Sequence, residues 1–140
     1  MALKKQEFYE GAALHRLVRG GAVTSIRYKQ PFFHMNERLR ILLKYSTRGR
    51  SPWGFSFTPD EQALLEEASA DLPAAIGLIC GADGIAAISY EEYRSIAVLK
   101  PTAIHIACYR DHGKHYKVSG PDGKLAEKVP PSRWQRLLDA

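Results

Sequence analysis

Residues Ala74-Ala75-Ile76-Gly77-Leu78-Ile79-Cys80 form an unbroken apolar run. A strand of this kind has no polar face to show to water, so it belongs in the middle of a sheet covered on both sides. That requirement excludes a two-layer fold with one bare sheet face, and it demands enough chain to supply two covers. At 140 residues the chain has the length of one ordinary domain, and roughly 70% of its unfolded surface can be buried. No apolar run approaches the ~18 residues needed to cross a bilayer.

The remaining elements are read from caps and alternation. A helix is expected from Lys4 to Arg19, with Phe8, Ala12, Leu14, Leu17 and Val18 as its apolar stripe, ended by Gly20-Gly21. Thr58-Pro59-Asp60-Glu61, Ser89-Tyr90-Glu91-Glu92 and Ser132-Arg133-Trp134-Gln135 carry capping-box spacing and predict three further helices. Strands are expected at 22–29, 33–46, 74–80, 85–88, 102–110 and 115–119, with a short extra stretch at 54–57 that is not counted in the element order. The first two are read as an antiparallel hairpin, and the last two as a hairpin across Asp111-His112-Gly113-Lys114. The predicted order is α-β-β-α-β-β-α-β-β-α. We read it as a single-domain α/β (α+β) fold over residues 1–140, with a mixed, largely antiparallel sheet flanked by helices. Strands arriving in pairs argue against a doubly wound fold or a barrel.

The stretch from Arg38 to Arg50 carries the functional signal. Leu39, Ile41, Leu43 and Tyr45 alternate with Arg38, Arg40, Leu42 and Lys44, so an apolar face is expected to anchor the strand while a basic face looks outward. Charge is segregated along the chain. Residues 1–50 hold 11 Lys/Arg against 3 Asp/Glu, residues 51–99 hold 1 against 8, and residues 100–140 hold 8 against 4. A chain so divided steers an anionic partner to one side. The expected interface is a phosphate-backbone surface for DNA or RNA made of Arg27, Lys29, Arg38, Arg40 and Lys44, with Arg48 and Arg50 on the adjoining loop and Trp53 as a stacking face. The acidic middle segment is expected to lie away from that strand or to bind a protein. The same division of charge suits a protein–protein adaptor that associates head to tail or docks onto a charged partner.

A leading helix with Glu10, followed by a hairpin whose second strand ends in Leu42-Leu43-Lys44, resembles the PD-(D/E)XK restriction-endonuclease-like superfamily over about the first 50 residues. The resemblance implies a metal-dependent nuclease using magnesium, with Glu10 as the helix glutamate, Lys44 as the strand lysine, and Asn36 or Glu37 in the place of the strand aspartate. Leu42 departs from the superfamily's D/E, so the resemblance points to a degenerate member that binds without cutting.

Other chemistries are poorly supplied. His112 and His115 flank a turn beside Asp111, and His34 lies three residues before Glu37, which is a start on a metal site without its remaining ligands. Cys80 and Cys108 each end an apolar run and read as reduced core thiols. No nucleophile elbow or glycine-rich phosphate loop occurs. The opening residues lack the apolar region of a signal peptide, which leads us to expect a cytoplasmic protein.

Overall fold

The computed structural model describes residues 2–139. Helix α1 (Lys5–Arg19) is followed by strands β1 (Ile26–Lys29), β2 (Phe32–Met35), β3 (Leu39–Ser46) and β4 (Trp53–Phe57). Helix α2 (Pro59–Ser69), strands β5 (Ala74–Cys80) and β6 (Gly84–Ser89), and helix α3 (Tyr90–Ile96) come next. Strands β7 (Ile104–Tyr109), β8 (Lys117–Gly120) and β9 (Gly123–Lys124) precede a 3-10 turn at Pro131–Arg133. The α+β class and the rough element order agree with the sequence reading. No helix among the described residues is long and apolar enough to cross a membrane.

Two mostly antiparallel sheets carry the fold. The larger has the order β1-β2-β3-β5-β6, with β3 and β5 parallel; the smaller is β4-β7-β8-β9. The apolar run becomes β5, buried at every position, and its alternation feeds two cores. Ile76, Leu78 and Cys80 meet Leu42, Phe55, Phe57, Ile104 and Ile106 between the sheets. Ile79, with Ile41, Leu43, Ala87 and Trp134, packs under α1 on the opposite side. A Cβ on Gly77 would come within 2.8 Å of Leu43 and 2.9 Å of Trp134, so the small residue inside the run makes room for the indole. Trp134 Nε1 donates to the Ala13 carbonyl at 2.9 Å, pinning the C-terminal segment beneath α1.

Several local expectations are corrected. The region read as one strand over 33–46 is two strands broken by a turn, in which Asn36 and Glu37 both take positive φ, 56° and 58°. The Asn36 side chain accepts from the Thr24 and Ser25 amides, at 2.6 and 3.1 Å, and donates to the Ala22 carbonyl at 2.8 Å. This clamp, with the Asn36 backbone amide donating to the Ser25 carbonyl, ties residues 22–25 to the turn, and β1 starts only at Ile26. On α1 the buried residues are Ala13 and Leu17, whereas Phe8 is 62% exposed and Val18 is also exposed. The capping boxes at Thr58–Glu61 and Ser89–Glu92 form as read. At Ser132 the chain forms only a 3-10 turn, Pro131–Arg133, in place of the expected helix, with no side-chain cap at its start.

Candidate nucleic-acid interface

The ladder of the β1–β2–β3 meander fixes one row of side chains. Arg27 opposes His34, and His34 opposes Arg40, so the three lie side by side on one sheet face. Lys29 follows Arg27 by two residues and Lys44 follows Arg40 by four, which puts both on the same face. Between this face and the C-terminal end of α2, two adjoining hollows of about 320 and 340 Å³ open. Both are lined by Lys29, His34 and Arg40; Glu67 and Asp71 close the first, and Arg27 and Glu37 line the second. His34 was not singled out as a member of this interface. Its place opposite two arginines was hidden because the turn that sets the β2–β3 register contains no glycine.

The row is basic, but its charges have partners. Arg27 pairs with Glu37 at 2.9 Å in full view of solvent. Arg40 donates to Asp71 at 2.9 Å and to the Ala68 carbonyl at 2.8 Å, which places its charge at the C-terminal end of α2. Lys44 holds both oxygens of Glu61 and lies 5.2 Å above the Phe57 ring. The acidic segment therefore lies over the basic strand and not away from it. Lys29, Arg48 and Arg50 are exposed and form no ion pair among the described residues. His34 registers the field that remains. Burial lowers its pKa, and Arg40, Arg27 and Lys29 lower it further against a smaller opposing effect of Glu37.

Two of the expected contact residues face elsewhere. Arg38 falls in the β2–β3 turn, off the basic row, and its guanidinium donates to the Leu138 carbonyl. Trp53 is 2% exposed, edge-on to Tyr116, and its Nε1 donates to the Arg48 carbonyl at 2.9 Å. A ring so enclosed offers no face to a nucleobase. It fastens the Arg48–Arg50 loop instead.

A second cleft, of about 450 Å³, opens at the end of the row. It exists because β2 begins at Phe32, opposite Leu42, while β3 runs on to Ser46. Residues 43–46 of β3 are consequently paired on one edge only, to β5. Glu10 and Gln6 of α1 reach the gap from one side of the sheet and Glu61 of α2 from the other, with Leu42, Lys44 and Tyr45 between them. Glu10 and Lys44 thus share one cleft, and Leu42 lies with them. Glu37 does not line it, being occupied with Arg27. Gln30, from the β1–β2 turn, lines this cleft and also the first hollow of the basic groove.

The donor set is poor for magnesium, which demands several hard oxygen ligands. Leu42 supplies none, both Glu61 oxygens are held by Lys44, and Glu10 already accepts from Gln6 Nε2 at 3.0 Å. Among the described residues no group of three or more His, Cys, Asp and Glu side chains could hold a metal ion. The remaining histidine candidates, His112 and His115, are exposed around the β7–β8 loop.

No family model, curated protein or solved structure matches the chain.

Proposed function

We propose that this chain is a nucleic-acid-binding module that holds a phosphate backbone in the groove of Arg27, Lys29, His34 and Arg40, and does not cleave it. The observation that carries this reading is the cross-strand row Arg27–His34–Arg40, with Lys29 beside it, lining two adjoining hollows. An exposed pair such as Arg27–Glu37 is worth only about 0–1 kcal/mol, so an incoming phosphate can displace Glu37 at little cost. Arg40 keeps a donor geometry fixed by Ala68 and Asp71 while facing the groove. The short supply of oxygen ligands around Lys44 favours binding over hydrolysis. Internal pairing of Glu61 and Asp71 with Lys44 and Arg40 reduces the opposite charge on which head-to-tail self-association would depend.

The test is fluorescence anisotropy with labelled DNA and RNA across a salt series, magnesium present. Wild-type protein is expected to bind with a steep salt slope and to leave the probe intact. Lys29→Glu with Arg27→Glu should weaken binding to every sequence and reduce the slope by about one unit per lost phosphate contact. Absence of binding by wild-type protein at low salt would overturn the reading.

A further inference from the structure

The groove and the cleft meet at the β1–β2 turn, where Gln30 lines the cleft and one hollow of the groove and Tyr28 lines the cleft and the other. Arg27, Lys29, His34 and Arg40 line the groove together with Glu37, Glu67 and Asp71, of which Glu37 and Asp71 are paired with Arg27 and Arg40. The cleft presents the amides of Gln6 and Gln30, the carboxylate of Glu10, the Lys44–Glu61 pair, the Ser56 hydroxyl bonded to His105, and the rings of Tyr28 and Tyr45. Glu10 repels a phosphate. With Glu61 held by Lys44, the second oxygen of Glu10 and the Gln30 amide are the groups that suit the N–H donors and carbonyl acceptors on the edge of a nucleobase. Tyr28 is 56% exposed and Tyr45 37%, so both rings are open to a ligand at the cleft. Tyr45 is braced by Tyr9, stacked at 5.0 Å and 11°, and Tyr28 rests on Phe33 at 4.8 Å. Both rings are therefore held in place before any ligand arrives, which lowers the ordering cost of stacking a base on them. The single-edged stretch of β3 adds backbone groups at the cleft wall. Gln30 belongs to both openings, so a chain whose phosphates lie in the groove passes the cleft mouth at the β1–β2 turn.

We propose that the cleft between Tyr28 and Tyr45 takes an unpaired nucleobase, making the preferred ligand single-stranded nucleic acid. This rests on the nucleic-acid reading above and narrows its ligand. A base locked in a duplex cannot reach the cleft without being unstacked and turned out of the helix.

The experiment compares three labelled probes of equal length under one salt condition: a single-stranded oligonucleotide, the same backbone carrying abasic sites, and a blunt duplex. The expected result is at least about tenfold tighter binding of the single strand than of the abasic chain, as stacked bases typically add. Tyr28→Ala should remove most of that margin while leaving abasic and duplex affinities unchanged, and Tyr28→Phe should keep it. Tyr45→Ala loses its packing on Tyr9, so Tyr45→Phe, with stacking retained, serves as its folded control and should bind as wild type. Equal affinity of the wild type for single-stranded and abasic probes would overturn the base cleft while leaving the phosphate groove standing. So would an equal loss for all probes in Tyr28→Ala. Binding of no probe would remove both proposals together. DNA and RNA versions of the single strand separate the two sources of the base.

Discussion

Lys44 Nζ donates to both carboxylate oxygens of Glu61, at 3.0 and 2.8 Å, tying β3 to the first turn of α2 across the rim of the cleft. The side chains are only 19% and 24% exposed. Glu61 also accepts from the Thr58 amide at 3.0 Å, so one carboxylate closes the helix cap and neutralises the strand. Removing one partner leaves a half-buried charge without a counterion. Lys44→Met and Glu61→Gln are each expected to lower unfolding free energy by about 1–3 kcal/mol, less than for a fully buried pair because water still reaches the site. The double variant should recover part of the loss. Urea denaturation of all four proteins checks this, and strict additivity would count against the coupling.

His34 gives two pH dependences of opposite sign. Its pKa is lowered in the folded protein, so below about pH 6.5 the unfolded chain binds a proton that the folded one refuses. Stability conferred by the neutral ring is complete above that pH and falls on acidification. A phosphate in the groove favours the charged ring, so affinity should rise over the same interval. His34→Gln is expected to flatten both curves, measured by thermal melts and anisotropy; an unchanged binding profile would exclude the histidine from the interface.

Asp83 joins the two sheets by accepting from Arg110 at 2.8 Å and from the Tyr116 hydroxyl at 2.7 Å. Burial by itself would raise its pKa, but these two bonds hold the carboxyl below the ordinary aspartate range. Its contribution is present above the unfolded pKa of about 3.9 and disappears as pH falls through the lower folded value. Asp83→Asn should cost about 1–2 kcal/mol at neutral pH, and the difference from wild type should shrink in acid, read from denaturation at a series of pH values.

Gly81 sits at φ +55°, and a Cβ there would overlap the Arg48 carbonyl oxygen. That oxygen is the acceptor of Trp53 Nε1, so a side chain at 81 must displace both. Gly81→Ala is expected to destabilise by ~2–3 kcal/mol through combined strain and overpacking. Loss of near-ultraviolet tryptophan signal below the unfolding transition would report the released indole.

Tyr93 is buried with its hydroxyl unpartnered, and burial pushes its pKa up to about 12. Tyr93→Phe removes a polar atom that gains nothing in return and keeps the ring contact with Phe57 at 5.1 Å. Unfolding free energy should be unchanged or higher by about 1 kcal/mol. A marked loss would show that the hydroxyl has a partner.

What could be read from the chain depended on how local its cause was. The β5 run and the two caps that formed state their structure in consecutive residues, and they folded as read. The basic face was legible in part, because alternation places Arg40 and Lys44 together whatever the topology. The neutralisation of that face was not. Glu61 and Asp71 lie 17 and 31 residues from their partners, and only the path of α2 over β3 joins them. Arg38 was misplaced because two successive left-handed residues without glycine give no recognisable turn signal. Trp53 was ambiguous by nature: an aromatic beside a proline serves a core or a ligand equally well, and the decision lay with a carbonyl five residues earlier.

The four-residue overhang of β3 beyond β2 has a consequence for how this scaffold could diversify. Two more residues on each arm around Gln30-Pro31 would continue the ladder from Phe32–Leu42 onto Leu43 and Lys44, and the opening would be filled by main chain. The length of one hairpin is thus the gauge that meters what enters. A change of length there would retune or shut the opening without touching either core.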